Sequence, residues 1–98
     1  MFVFGRVLDG EFVFNRKDDH IYTWPNEVVA REFFESVENK YHLYQVNSDL
    51  SHGVLIQRGT GMDEAPSEIE PTENQKLLLF QSYVYKSLLA WSPPEEML

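Results

Sequence analysis

A chain of 98 residues has room for one domain with a modest core. Its 43% apolar content excludes wholesale disorder, and its lack of cysteine excludes disulfides, thiolate metal sites and a thiol nucleophile. A net charge of −8, from 16 acids against 8 bases, sets the surface against nucleic acid and anionic lipid and suits a basic partner or plain solubility.

Residues 2–16 read as a β-hairpin, because two aromatic and β-branched runs flank Asp9-Gly10. Two registers are open. A two-residue Asp9-Gly10 loop pairs Val7 with Phe12 and sends Phe4 and Phe14 to opposite faces. A three-residue loop, Leu8-Asp9-Gly10, pairs Phe4 with Phe14 and gathers Phe2, Phe4, Phe12 and Phe14 on one face, with Val3, Val7 and Val13 on the other. The second is expected, since a slip of one residue scatters the hydrophobic set. Gly5 inside the first strand marks a bulge or the close approach of another element.

Residues 15–20, NRKDDH, form a polar connection, and residues 21–24, IYTW, a short strand. A helix follows to about Asn39, capped by Thr23 or Asn26 with Pro25 in its first turn. Its core stripe is Val29, Ala30, Phe33, Phe34 and Val37, and Glu27 and Arg31 make an i,i+4 pair outside it. Residues 41–46 and 53–57 alternate as strands and are joined by the turn formers NSDLSH into a second hairpin. Residues 59–72 are expected to be a flexible acidic loop, in which Ser67-x-x-Glu70 favours one helical turn before Pro71 stops it. Thr72 and Gln75 form a capping box that opens the final helix, residues 72–91, and Ser92-Pro93-Pro94 starts a tail of residues 92–98.

The order ββ(β)αββα implies a single α+β domain over residues 1–98: a mostly antiparallel sheet of four to five strands with two helices. Both helices are expected on one face, leaving the Val3, Gly5, Val7 and Val13 face to water or to a partner. No basic-then-apolar leader and no run of about 18 apolar residues is visible, so the chain reads as cytoplasmic.

Chemistry-bearing patterns are weak. Asp18-Asp19-His20 are consecutive, and neither they nor His42 and His52 show metal-ligand spacing. Ser48, Asp49, Ser51 and His52 share one turn, where turn chemistry explains them better than a nucleophile and its base. Arg58-Gly59-Thr60-Gly61 lacks the lysine and the following helix of a phosphate loop. Arg16-Lys17 is offset by Asp18-Asp19. No catalytic, cofactor-binding or metal-binding residue is therefore assigned, and no cofactor is expected.

The final helix is apolar nearly all round. Leu77, Phe80, Val84, Leu88 and Trp91 form a continuous row expected to face the core, Leu78, Tyr85 and Leu89 a second row and Leu79 and Tyr83 a third, the surplus being chiefly Leu78, Tyr85 and Leu89. Such a helix is buried on two sides within its own fold or against another chain. The expected partner-binding residues are Leu78, Tyr85 and Leu89, with the acids Asp63, Glu64, Glu68 and Glu70. The chain thus reads as a small acidic non-enzymatic interaction module (a subunit, adaptor or regulator) that uses the C-terminal helix and an exposed sheet face to bind another protein or its own copy as a homodimer. One alternative is an acidic inhibitor, of the phage type, that blocks a basic nucleic-acid-binding surface. Another is a small enzyme with no identifiable site.

Overall fold

The computed structural model describes residues 1–17, 20–36, 41–60 and 64–88. Its elements are β1 (Phe2–Leu8), β2 (Glu11–Phe14), β3 (Arg16–Lys17), β4 (His20–Ile21), β5 (Thr23–Trp24), α1 (Glu27–Ser36), β6 (His42–Val46), β7 (Gly53–Gln57), β8 (Glu68–Ile69) and α2 (Glu73–Leu88). The fold is α+β, and the described strands pair antiparallel in the order β2-β1-β6-β7-β8, with β5 also on β1.

The first hairpin takes the two-residue loop. Val7 faces Phe12 and Leu8 faces Glu11, and Asp9 and Gly10 both have positive φ, 52° and 82°. The expected three-residue loop is therefore wrong. A turn with two left-handed residues carries the same twist as the strands it joins, and Asp-Gly is suited to it. Keeping the aromatics together gives no advantage here, because both faces of the sheet are covered. Phe12 and Phe14 accordingly share a face with Val3 and Gly5, and Gly5 marks a close approach: a Cβ there would lie 2.2 Å from the Phe12 ring.

β2 and β5 run along one edge of β1 as a single interrupted strand, with Gly5 opposite Phe14 and Val3 opposite Thr23. Between them the chain leaves the sheet as the β3–β4 hairpin. The exit is closed by the Asn15 N–H donating to the Phe4 carbonyl at 2.8 Å and the Tyr22 N–H donating to the Asn15 carbonyl at 3.1 Å. Strands of two residues carry no period, which is why residues 15–20 read as a polar connection, and the single strand expected over residues 21–24 is instead divided, Ile21 pairing with Arg16 and Thr23 with Val3.

The helices lie on opposite faces, not on one. α1 packs Ala30 and Phe34 on Phe2, Phe4, Trp24 and Leu43. Phe4 sits 4.6 Å from the Trp24 ring and meets Phe34 edge-on at 5.7 Å. Asn26 is the cap, its Oδ1 accepting the Val28 N–H at 2.8 Å, and Arg31 pairs with Glu27 at 3.0 Å. The expected end of this helix near Asn39, with Val37, lies outside the described residues. On the other face α2 packs Leu79 on Val3, Phe14, Ile21, Tyr44, Val46 and Ile69. The face expected to be open is thus the one α2 covers, except that Val13, paired with Arg6, belongs to the other side. Large apolar side chains alternate to both sides of β1 and β6, so each face needs its own helix.

Part of the acidic segment is an edge strand. Ile69 pairs with Gly53, and the Ser67 carbonyl accepts the Leu55 N–H at 2.9 Å. The helical turn expected at residues 67–70 gives way to β8, because Ile69 is buried over Gly53, 2.8 Å from where a Cβ would stand. The buried Tyr44 hydroxyl donates to the Pro66 carbonyl at 2.8 Å and holds the segment on the sheet. Burial pushes this phenol up to about 12, against a small opposing pull from Arg58. An unfolded tyrosine ionises near 10. Between those values the folded state keeps a proton that the unfolded chain gives up, so stability falls as pH rises through this window. By pH 11, halfway through the window, the loss should be about 1 kcal/mol. Urea midpoints at pH 9 and pH 11 should show it, and Tyr44→Phe should abolish that part of the pH dependence.

Candidate interaction surface

α2 begins where the sequence places it. Thr72 Oγ1 accepts the Gln75 N–H at 3.1 Å, and Gln75 Oε1 accepts the Thr72 N–H at 2.8 Å. Its phase is not the expected one. Leu79 and Ser82 are buried and Leu78 packs against the same core, while Leu77, Phe80 and Tyr83 are 55%, 58% and 48% exposed. The expected core row fails at Leu77 and Phe80 because α2 lies along the β2–β4 edge, where backbone groups need polar partners. Gln75 Nε2 donates to the Phe12 carbonyl at 2.9 Å. Ser82 Oγ accepts the Ile21 N–H at 2.9 Å and donates to the Leu78 carbonyl at 2.7 Å. Two polar side chains thus face inward and rotate part of the apolar set outward.

Ser82→Ala should therefore cost about 1–3 kcal/mol, the penalty for a buried N–H left without its acceptor. Chemical denaturation measures the loss, and faster hydrogen exchange at the Ile21 amide locates it.

The outward stripe borders a concavity of about 350 Å³, lined by Phe80 and Tyr83 with Met1, Pro25, Asn47, Ser48 and Leu50. Its far wall is the turn between β6 and β7, which is held by its own side chains. Asn47 Oδ1 accepts the His52 N–H at 3.0 Å, and Asp49 Oδ1 accepts the Ser51 hydroxyl at 2.6 Å and the Ser51 N–H at 3.1 Å. The Ser51 bonds hold the Asp49 carboxyl below its ordinary value. Leu50 is left-handed, φ 64°, a conformation costing a non-glycine residue about 1–2 kcal/mol. Its side chain packs against the core, which offsets that cost and fixes the wall.

Of the residues expected to bind a partner, Leu78 belongs to the packed side of α2. Glu64, Glu68 and Glu70 are exposed along the β8 edge and the approach to α2. Asp63, Leu89 and the side chain of Tyr85 lie outside the described residues, as do Trp91 and the side chain of Leu88 from the expected core row. Leu77 and Phe80 belong to the row expected to face the core and Tyr83 to another row; neither the outward phase that exposes all three nor the role of Leu50 is legible in the helical spacing.

The remaining polar clusters resolve into structure. His42 is buried, and its Nδ1 accepts the Gly59 N–H at 2.8 Å. His52 lies 3.5 Å from Glu68 across β7 and β8. Among the described residues no three His, Asp or Glu side chains are placed to hold a metal ion, and no helix is long and apolar enough to cross a membrane. Set against known proteins, the chain has no match: no family model, no curated protein and no solved structure is significantly similar to it.

Proposed function

We propose that this chain is a protein–protein interaction module, a subunit, adaptor or regulator working in the cytoplasm, that binds through the outer side of α2. One observation carries the reading: three large apolar side chains of α2, Leu77, Phe80 and Tyr83, stand about half exposed, and two of them, Phe80 and Tyr83, line an apolar concavity. Single exposed hydrophobes are ordinary, but a contiguous set around a hollow is the usual mark of a contact site. Tyr and Phe are also favoured anchors, since they bring large area at little conformational cost. The partner is another protein or a second copy of the chain.

A variant with Leu77→Gln, Phe80→Gln and Tyr83→Gln tests this. Immobilised natural chain should retain a specific protein from host extract, or its own copy, that the variant does not retain. Identical retained sets would remove α2 from the binding surface. A second reading, occupation of a basic nucleic-acid-binding surface on a target, draws support from Glu64, Glu68 and Glu70, exposed on an edge anchored through Tyr44 and Pro66. Its mark is affinity that falls steeply with added salt.

A further inference from the structure

We infer that a second hollow, between the β2 edge and α2, binds a small aliphatic carboxylate, with its chain among apolar side chains and its carboxylate on Arg16. The hollow follows from how the chain is routed. β2 ends at Phe14 and β4 begins at His20, because the chain leaves the sheet between them as the β3–β4 hairpin. α2 crosses both, anchored through Gln75 to the Phe12 carbonyl at 2.9 Å and through Ser82 to the Ile21 N–H at 2.9 Å. The space left between them is about 300 Å³. Its apolar walls are Leu8, Val13 and Phe14 from the first hairpin, Ile21 from β4 and Leu78 from α2. Among the described lining residues Arg16 alone is charged. The β3–β4 ladder pairs Arg16 with the wall residue Ile21, and the arginine itself is exposed. No described acid pairs with it.

Apolar walls with one charged group set the ligand class: a small molecule with an apolar body and one polar end, about ten non-hydrogen atoms for a hollow of this size. A guanidinium takes a carboxylate through two parallel N–H···O bonds. The net charge of −8 works against a polyanion, so a single negative charge suits the site better than a phosphate dianion. An extended peptide is a poorer occupant, because it would add to the β2 edge, where Gln75 already takes the Phe12 carbonyl. The hollow shares no lining residue with the concavity beside Phe80 and Tyr83, so ligand binding here and partner binding there are separable.

The test titrates the isotope-labelled full chain with octanoate at neutral pH and follows its amide NMR spectrum. Octanol and octylamine serve as the neutral and cationic probes of the same length. Octanoate should saturate with a Kd of about 1 mM or below, and the largest shifts should fall on Phe14, Arg16, Ile21 and Leu78. It should bind at least about tenfold tighter than octylamine, and Arg16→Gln should weaken octanoate at least about tenfold while leaving octanol unchanged. The spectrum of Arg16→Gln without ligand verifies that the fold is intact. Val13→Phe, which fills the hollow from β2, should weaken octanoate and octanol alike. Equal affinity for octanoate and octylamine, or octanoate indifferent to Arg16→Gln, overturns the carboxylate assignment. Shifts centred on Phe80 and Tyr83, or no saturable shift up to about 10 mM octanoate, overturn the site itself.

Discussion

Gly5→Ala should destabilise the domain by about 2–4 kcal/mol, and Gly5→Val should leave it largely unfolded at 25 °C. A Cβ at this position would stand 2.2 Å from Cζ and 2.8 Å from Cε1 of Phe12. The ring has little freedom to withdraw, since it is held edge-on by Phe14 at 5.2 Å and by Tyr44 at 5.1 Å. Overpacking of a well-filled core costs about 1–3 kcal/mol, and here relief requires either that wedged ring or the β1 backbone that carries the new Cβ to shift. The sign makes the test sharp. Without the ring, alanine for glycine inside a strand gains about 0.5–1 kcal/mol. A small domain has only about 5–15 kcal/mol in total, so the two further methyls of valine at the same point exhaust most of it. Urea denaturation of Gly5→Ala, Phe12→Leu and the double variant measures the coupling. In the double variant the glycine substitution should lose most of its cost, and a neutral or stabilising Gly5→Ala in the natural background would show that Phe12 does not sit on Gly5.

That contact explains how much of the fold was legible. Gly5 was readable as a close approach, yet which ring approached it depended on the hairpin register. Grouping the aromatics in one core favours the wrong register, because this sheet has a core on each face. The turn chemistry of Asp9-Gly10 was the better guide, being local and set by backbone twist. The same division runs through the chain. The Asn26 cap, the Thr72 and Gln75 capping box and the Glu27–Arg31 pair are interactions over two to four residues, and the sequence states them directly. The side of the sheet each helix covers is decided by how the chain returns from β8 to α2, over distances no periodicity reaches. The phase of α2 fails for a related reason. With apolar residues on every side, its pattern does not choose an inner face, and the choice falls to Gln75 and Ser82, whose partners Phe12 and Ile21 are far away in sequence.

The phase of α2 also yields a prediction in which stability and binding move apart. The combined Leu77→Gln, Phe80→Gln and Tyr83→Gln variant should remain folded, losing about 1–2 kcal/mol, while its affinity for a protein partner falls by on the order of a hundredfold or more. The small structural cost follows from exposure: each side chain already gives about half its surface to water, and glutamine is as good a helix former as leucine and better than phenylalanine or tyrosine. The binding loss follows from what these side chains do in a complex. Aromatic anchors at the centre of an interface are worth about 2 kcal/mol or more each, their effects overlap, and a combined loss of about 3 kcal/mol corresponds to about two decades in Kd. The contrast is with Leu79→Ala, which removes a fully buried side chain and should cost about 2–5 kcal/mol through the cavity it leaves. Circular dichroism melts of the two variants separate the alternatives before any partner is in hand. If Leu77 and Phe80 formed the core row, the triple glutamine variant would unfold and Leu79→Ala would be nearly silent. With α2 turned as it is, the triple variant melts as a cooperative domain and Leu79→Ala is the damaged one, so a binding defect in the folded triple variant can be assigned to the surface itself.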